Sequence, residues 1–125
     1  KRYLRRGYIK MYTGFRCSSI MTKNDAINYP IQGSAFHCLL WSLIQLNKEF
    51  KRKEYKSRIV GQIHDSILFD VVPEELKEIK EITRRITCQE LPKQWDWIVV
   101  PLDIEFEVTQ INQSWANKKE IYESI

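Results

Sequence analysis

The stretch that most constrains this chain is Gln62-Ile63-His64-Asp65-Ser66-Ile67-Leu68-Phe69-Asp70-Val71. Two short apolar runs, Ile59-Val60 and Ile67-Leu68-Phe69, flank His64-Asp65-Ser66. Each run has the length and β-branched content of a strand, so residues 58–72 read as a tight hairpin with His-Asp-Ser at its turn. Two strands fix the direction of whatever the tip carries. An Asp in that place can ligate a divalent metal, and the His before it can touch a partner's backbone. Asp and Ser also favour turns on their own account, and a polar turn without chemistry is the plain alternative.

At 125 residues the chain accommodates one domain with a working core. Its apolar content of 43% argues against disorder. No apolar run has the length of a membrane span, so no membrane partner is expected. The basic start Lys1–Arg6 is not followed by the apolar segment of a signal peptide. The first residue is Lys, and Lys1 to Gly7 resembles the end of a helix running into a glycine stop. Both features give the expectation of a piece of a longer protein. Cys17, Cys38 and Cys88 are widely spaced and odd in number, with no metal-binding spacing, and are expected to be reduced thiols of an intracellular protein.

The net charge of +4 hides a division. Residues 1–58 carry thirteen Lys and Arg against three Asp and Glu, a balance of +10, whereas residues 59–125 carry seven against thirteen, a balance of −6. The first 24 residues contain no acid, and Tyr3, Tyr8, Tyr12 and Phe15 are interleaved with their cations. Such a segment suits a phosphate backbone. A solvated basic face accounts for the charge alone equally well.

Along the chain, Gly7–Tyr12 and Phe15–Ile20 flank Thr13-Gly14 and predict a first hairpin, with glycine supplying the positive φ of its turn. Residues 21–28 read as a polar loop. A long helix is predicted to begin near Pro30, whose fixed φ suits a first turn and biases Tyr29 away from helical geometry. Its stripe is Ile31, Ala35, Leu39, Leu43 and Leu46, widened by Phe36, Leu40 and Ile44, and it fades over 50–53. After the second hairpin, Pro73-Glu74-Glu75-Leu76 opens a second helix with acids in its first turn and a stripe of Leu76, Ile79, Ile82 and Ile86. Residues 89–96 read as a connector. Leu102, Ile104, Phe106 and Val108 alternate with Asp103, Glu105 and Glu107 as in a half-exposed strand. The order gives an α+β class, an antiparallel sheet of hairpins packed against two main helices.

Asn28-Tyr29-Pro30-Ile31-Gln32-Gly33-Ser34-Ala35 resembles the Asn-x-Pro-x-Gln-Gly-Thr/Ser-Ala segment of family A DNA polymerases, the group that includes bacterial DNA polymerase I. His64-Asp65-Ser66 is similar to that family's motif C, usually His-Asp-Glu, with Gln62 two positions before the His. The tail Val100–Val108 followed by Ser114-Trp115-Ala116 looks like the family's C-terminal strand and closing Trp. Gly7-Tyr8-Ile9 with Gly14-Phe15-Arg16 loosely matches its Gly-Tyr-Val, Gly-Arg-Arg hairpin. The ordered set spans nearly the whole chain.

The resemblance implies that residues 1–125 are the C-terminal portion of a polymerase palm, with the segments called motif A and motif B absent and supplied by an upstream remainder. It implies a DNA-directed DNA polymerase, working on primer–template DNA and deoxynucleoside triphosphates with Mg²⁺ in a two-metal site. Asp65 would be a metal ligand, and His64 would approach the primer terminus. Asn28 and Gln32, four residues apart, can share a helix face and donate to the minor-groove acceptors that every base pair presents. Without the resemblance, Asn28 reads as a helix cap and Gln32 as an exposed side chain. Lys23 and Arg16 are further candidates for nucleic-acid contact, Lys23 because Asn24 stands where the family often has Arg. Ser66 replaces the usual Glu and removes a carboxylate beside the metal site. His37 stands where the family commonly has Asp and is expected to be a core or boundary residue. Trp41, Trp95, Trp97 and Trp115 are expected to pack. The divergence gives the expectation of a viral source, with the cytoplasm of a bacterium or infected host, or an organelle, as the location. Rival readings are a single-subunit RNA polymerase, which also carries His-Asp-Ser, and a basic nucleic-acid-binding module without catalysis.

Overall fold

The computed structural model describes residues 7–120, so the helix end expected at residues 1–6 lies outside the described residues. The class is α+β, with antiparallel hairpins and two main helical segments, as the sequence predicts. Among the described residues the strands form three separate two-stranded ladders. In the first, β1 (Ile9–Lys10) pairs with β2 (Arg16–Cys17), and Gly14 at φ 95° closes the turn through its N–H to the Met11 carbonyl at 3.0 Å.

Helix α1 runs Lys23–Arg52 and so begins seven residues before Pro30. Of the predicted loop 21–28, only residues 21 and 22 lie outside the helix, and Tyr29 is helical. The start is set by a capping box. Thr22 Oγ1 accepts from the Asp25 N–H at 3.2 Å, and an Asp25 carboxylate oxygen accepts from the Thr22 N–H at 3.1 Å. Two donors that the helix leaves orphaned are thereby satisfied. Pro30 then falls inside the helix, where its missing N–H removes one bond of the ladder.

The buried seam of α1 also departs from the predicted stripe. It follows one row of four-residue steps: Ser34, Cys38, Ser42, Leu46 and Phe50, with only Cys38 half-buried. The two serines bury their hydroxyls by donating to carbonyls four residues back, Ser34 to Pro30 and Ser42 to Cys38. Small residues let other chain approach the first half of the helix. Met11 is buried there with its thioether against Gly33, where an added Cβ would sit 2.8 Å from the sulfur. Ile31, Phe36 and Ile44, assigned to the stripe, remain exposed.

The core lies at the other end. Leu46 and Phe50 of α1 pack with Ile79, Ile82 and Ile86. Trp41, Tyr55, Ile59, Ile67, Phe69 and Val71 close around them. The second hairpin, β3 (Arg58–Ile63) and β4 (Ser66–Asp70), is anchored here by Ile59, Ile67 and Phe69, with the Phe69 ring 5.9 Å from that of Phe50. Glu75 ties the hairpin base to the following helix. Its carboxylate accepts from the Lys56 and Ser57 N–H groups, each at 2.9 Å, and from the Ser57 hydroxyl, which itself accepts from the Val72 N–H.

Pro73–Glu75 forms a 3₁₀ turn that leads into α2 (Leu76–Arg84). The helical path does not stop there. A π-helical segment, Arg85–Glu90, and a short helix α3 (Leu91–Gln94) occupy most of the predicted connector. Thr83 and Thr87 are buried on this path and donate to the carbonyls of Ile79 and Thr83. The predicted strand over 98–108 shrinks to β5 (Glu107–Val108), which pairs with β6 (Lys119–Glu120). Residues 102–108 keep the alternating burial, but residues 102–106 are fixed by side chains rather than by a ladder. Arg84 Nη1 meets Asp103 Oδ1 at 2.9 Å, and the Lys80 and Arg84 cations lie over the Phe106 ring at 5.4 and 5.5 Å. Trp95 packs against both Trp41 and Trp97, whereas Trp115 is exposed with the Lys118 ammonium 5.2 Å above its ring.

Candidate functional site

The β3–β4 hairpin turns on two residues, His64 and Asp65, because Ile63 and Ser66 already face each other across the ladder. Ser66 therefore belongs to a strand and not to the turn. His64 has φ 51°. A positive φ at the first of two turn residues is the place that type II′ hairpins reserve for glycine. For histidine the left-handed region is uncommon but attainable. The turn is braced by Gln62, whose side-chain amide donates to the His64 carbonyl at 3.3 Å. Gln62 thus has a structural task at the tip that the sequence pattern left unassigned.

Lower in the hairpin the register slips between Ile59 and Gly61, so that Val60 bulges outward. A bulge of this kind increases the twist of the pair and re-aims what lies beyond it. Ile67 and Phe69 remain in the core, and Asp65 lies four residues beyond Phe69, about 13 Å along an extended strand. The tip therefore projects from a packed base.

Asp65 and His64 are both exposed, and neither side chain has a hydrogen bond or ion pair among the described residues. An exposed carboxylate without a partner keeps its oxygens free for an external cation, and oxygen is what Mg²⁺ prefers. The fit is partial. Among the described residues no group of three or more His, Cys, Asp or Glu could hold a metal ion. Asp65 can serve as one ligand, and the remaining ligands would have to come from elsewhere.

Asn28 and Gln32 sit one turn apart on α1, both exposed and without hydrogen-bond partners among the described residues. The helix start belongs to Thr22, so Asn28 is not the cap. Lys23 is exposed in the first turn of α1. Arg16 lies in β2 with its guanidinium 5.0 Å from the Tyr8 ring centre. Among the described residues no hydrogen bond joins any of these four to His64 or Asp65. His37 is half-buried, with Nδ1 2.6 Å from Thr13 Oγ1, a boundary position as expected. The cysteines Cys17, Cys38 and Cys88 are free thiols. No helix among the described residues is long and apolar enough to cross a membrane.

A family model described as DNA polymerase family A matches residues 3–117. DNA polymerase I of Lactococcus lactis subsp. lactis is 40% identical over 83 residues, which are 66% of this chain and 9% of that protein. DNA polymerase I of Bacillus subtilis is 30% identical over 117 residues, 92% of this chain and 12% of the relative. Among solved structures, the POL domain of Pol1 from M. smegmatis in complex with DNA primer-template and dNTP superposes with a TM-score of 0.65 at 26% identity. That match covers 82% of this chain and 19% of the other. The chain thus spans a fifth or less of the length of these relatives. They are bacterial and give the expected viral source no support.

Proposed function

The chain belongs to DNA polymerase family A, and on that premise we propose that it forms the C-terminal part of a polymerase palm that carries out DNA-directed nucleotidyl transfer. The observation that carries this reading is the unpartnered Asp65 carboxylate, projected on a two-residue tip from a hairpin anchored in the core. A reacting centre needs a ligand whose position does not depend on a mobile loop, and two strands provide that.

In this reading Asp65 supplies one carboxylate of a metal site, and other segments of the polymerase supply the rest. Two Mg²⁺ ions held there would stabilise the attacking and leaving oxygens of an in-line displacement at phosphorus. His64, held in its left-handed conformation, directs its imidazole to the primer terminus. The amides of Asn28 and Gln32 donate to minor-groove acceptors near that terminus, and Lys23 and Arg16 approach phosphates. Primer–template DNA and deoxynucleoside triphosphates are the substrates. The relatives, named DNA polymerase I, favour this over an RNA polymerase or a binding module without catalysis.

The test is a chimera in which residues 3–117 replace the matching segment of a family A polymerase. Primer extension with Mg²⁺ is then compared for wild type, Asp65→Ala and Asp70→Ala. Loss of one electrostatic element at a reacting centre costs about 10²–10³ in rate, and that is expected for Asp65→Ala alone. Asp70 pairs with Arg58 at the hairpin base, and its replacement should be mild. Near-normal extension by the Asp65→Ala chimera would defeat the assignment.

A further inference from the structure

The first ladder carries a charge arrangement that its own contacts do not balance. Lys10 and Arg16 stand directly opposite each other across β1 and β2. Like charges in that position repel and weaken a pair of strands. Neither cation has an ion pair with a carboxylate among the described residues. In the whole of residues 1–48 the single acid is Asp25, which is engaged with Thr22 at the start of α1.

An exposed group of rings lies at the turn end of the same ladder. Phe15 is 58% and Phe36 48% exposed, and between them stands His37, 5.3 Å from the Phe15 ring centre and 6.1 Å from that of Phe36. The rings are held in place. Thr13 fixes His37 from the turn, and Ser34 Oγ accepts the Tyr12 N–H at 2.9 Å, which docks the turn on α1. Exposed rings that are already ordered bind a flat partner at a lower entropic cost.

We propose that Phe15, Phe36 and His37, with Lys10 and Arg16, form a surface for single-stranded nucleic acid, the rings stacking on bases and the opposed cations meeting the phosphates. The proposal rests on the polymerase reading only for its context, an unpaired template segment. Cations without neighbouring carboxylates select a polyanion, and exposed rings distinguish a strand with free bases from a paired duplex. The contact is indifferent to base identity because every base has a π face.

The test is fluorescence anisotropy on the whole chain with three probes: a twelve-nucleotide oligo-dT, an abasic strand of the same length and charge, and a duplex. The oligo-dT is expected to bind more tightly than both others. Phe15→Ala and Phe36→Ala should each weaken oligo-dT binding roughly 5- to 100-fold while leaving abasic binding unchanged. Circular dichroism checks that the variants fold. If Phe15→Ala does not fold, Phe15→Leu keeps most of the volume without the ring and should weaken binding, while Phe15→Tyr should preserve it. Equal affinity for oligo-dT and the abasic strand would overturn the proposal. So would Phe15→Leu binding like wild type, or Phe36→Ala abolishing self-association in sedimentation without changing oligo-dT affinity, which would make the patch a protein contact. Primer extension by the Asp65 chimera reads the hairpin tip and not these rings, so failure of one reading is distinguishable from failure of the other.

Discussion

His64 shows how a single backbone torsion constrains what a position can be. At φ 51° a β-branched side chain is strongly disfavoured, whereas Asn tolerates the left-handed region. His64→Val is expected to destabilise the fold by about 1–2 kcal/mol and His64→Asn to leave it nearly unchanged, both read by urea unfolding. Glu75 shows how a carboxylate becomes an acid-sensitive fastener. The Ser57 hydroxyl, then the Lys56 N–H, hold its carboxyl below the usual value. A group with a depressed folded-state pKa contributes stability above its unfolded pKa and loses that contribution as pH falls through the folded one. Unfolding followed from neutral pH into the acid range should therefore show stability falling below the ordinary Glu titration. Glu75→Gln and Ser57→Ala should flatten that dependence, and an unchanged pH profile in both would remove Glu75 from the account.

At the level of elements, α1 was predicted from its apolar spacing, and its C-terminal end agrees. Its start does not, because Pro30 is a strong local signal for a first turn while Thr22-x-x-Asp25 is a weaker pattern that acts only through its reciprocal hydrogen bonds. Thr22→Ala is expected to cost about 1 kcal/mol. Hydrogen exchange should place that loss in residues 23–29 rather than in the hairpin. If exchange in the first turns is unaltered, the cap is not what begins the helix. The seam of α1 was misplaced for a related reason. Counting apolar residues passes over Ser34 and Ser42, yet a serine that donates to the carbonyl four residues back can be buried at little cost.

For the molecule as a whole, the core is concentrated where the second half of α1, the hairpin base and α2 meet. Leu46 is fully buried there, and Leu46→Ala is expected to cost about 2–5 kcal/mol. Ile44, two residues away but 46% exposed, should cost far less when replaced by Ala, and thermal unfolding of the pair tests where the core lies. If Asp65 supplies one ligand of a site that other segments of the polymerase complete, the chain alone is expected to bind primer–template DNA weakly and not to extend it. The binding should fall steeply with salt, as phosphate contacts do. Nucleotide incorporation by the purified chain with Mg²⁺ would refute the division of ligands proposed above.

What the residues alone determined is local. The periodicity of α2, the glycine turn of the first ladder and the apolar runs flanking His64-Asp65 each act within one element, and each element formed where its pattern lies. The motifs likewise sufficed for the family, whose model matches residues 3–117. Tertiary structure decided what depends on partners distant in sequence. Residues 102–106 alternate like a strand, but among the described residues no strand lies beside them to complete a ladder, so cation–ring contacts and an ion pair from α2 hold Phe106 and Asp103 instead. Met11 against Gly33, Thr13 against His37, and Phe15 beside that ring arise only when the first turn docks on α1. The sequence names those residues, but their meeting depends on the path of the chain between them, and burial is a property of that path rather than of any residue in it.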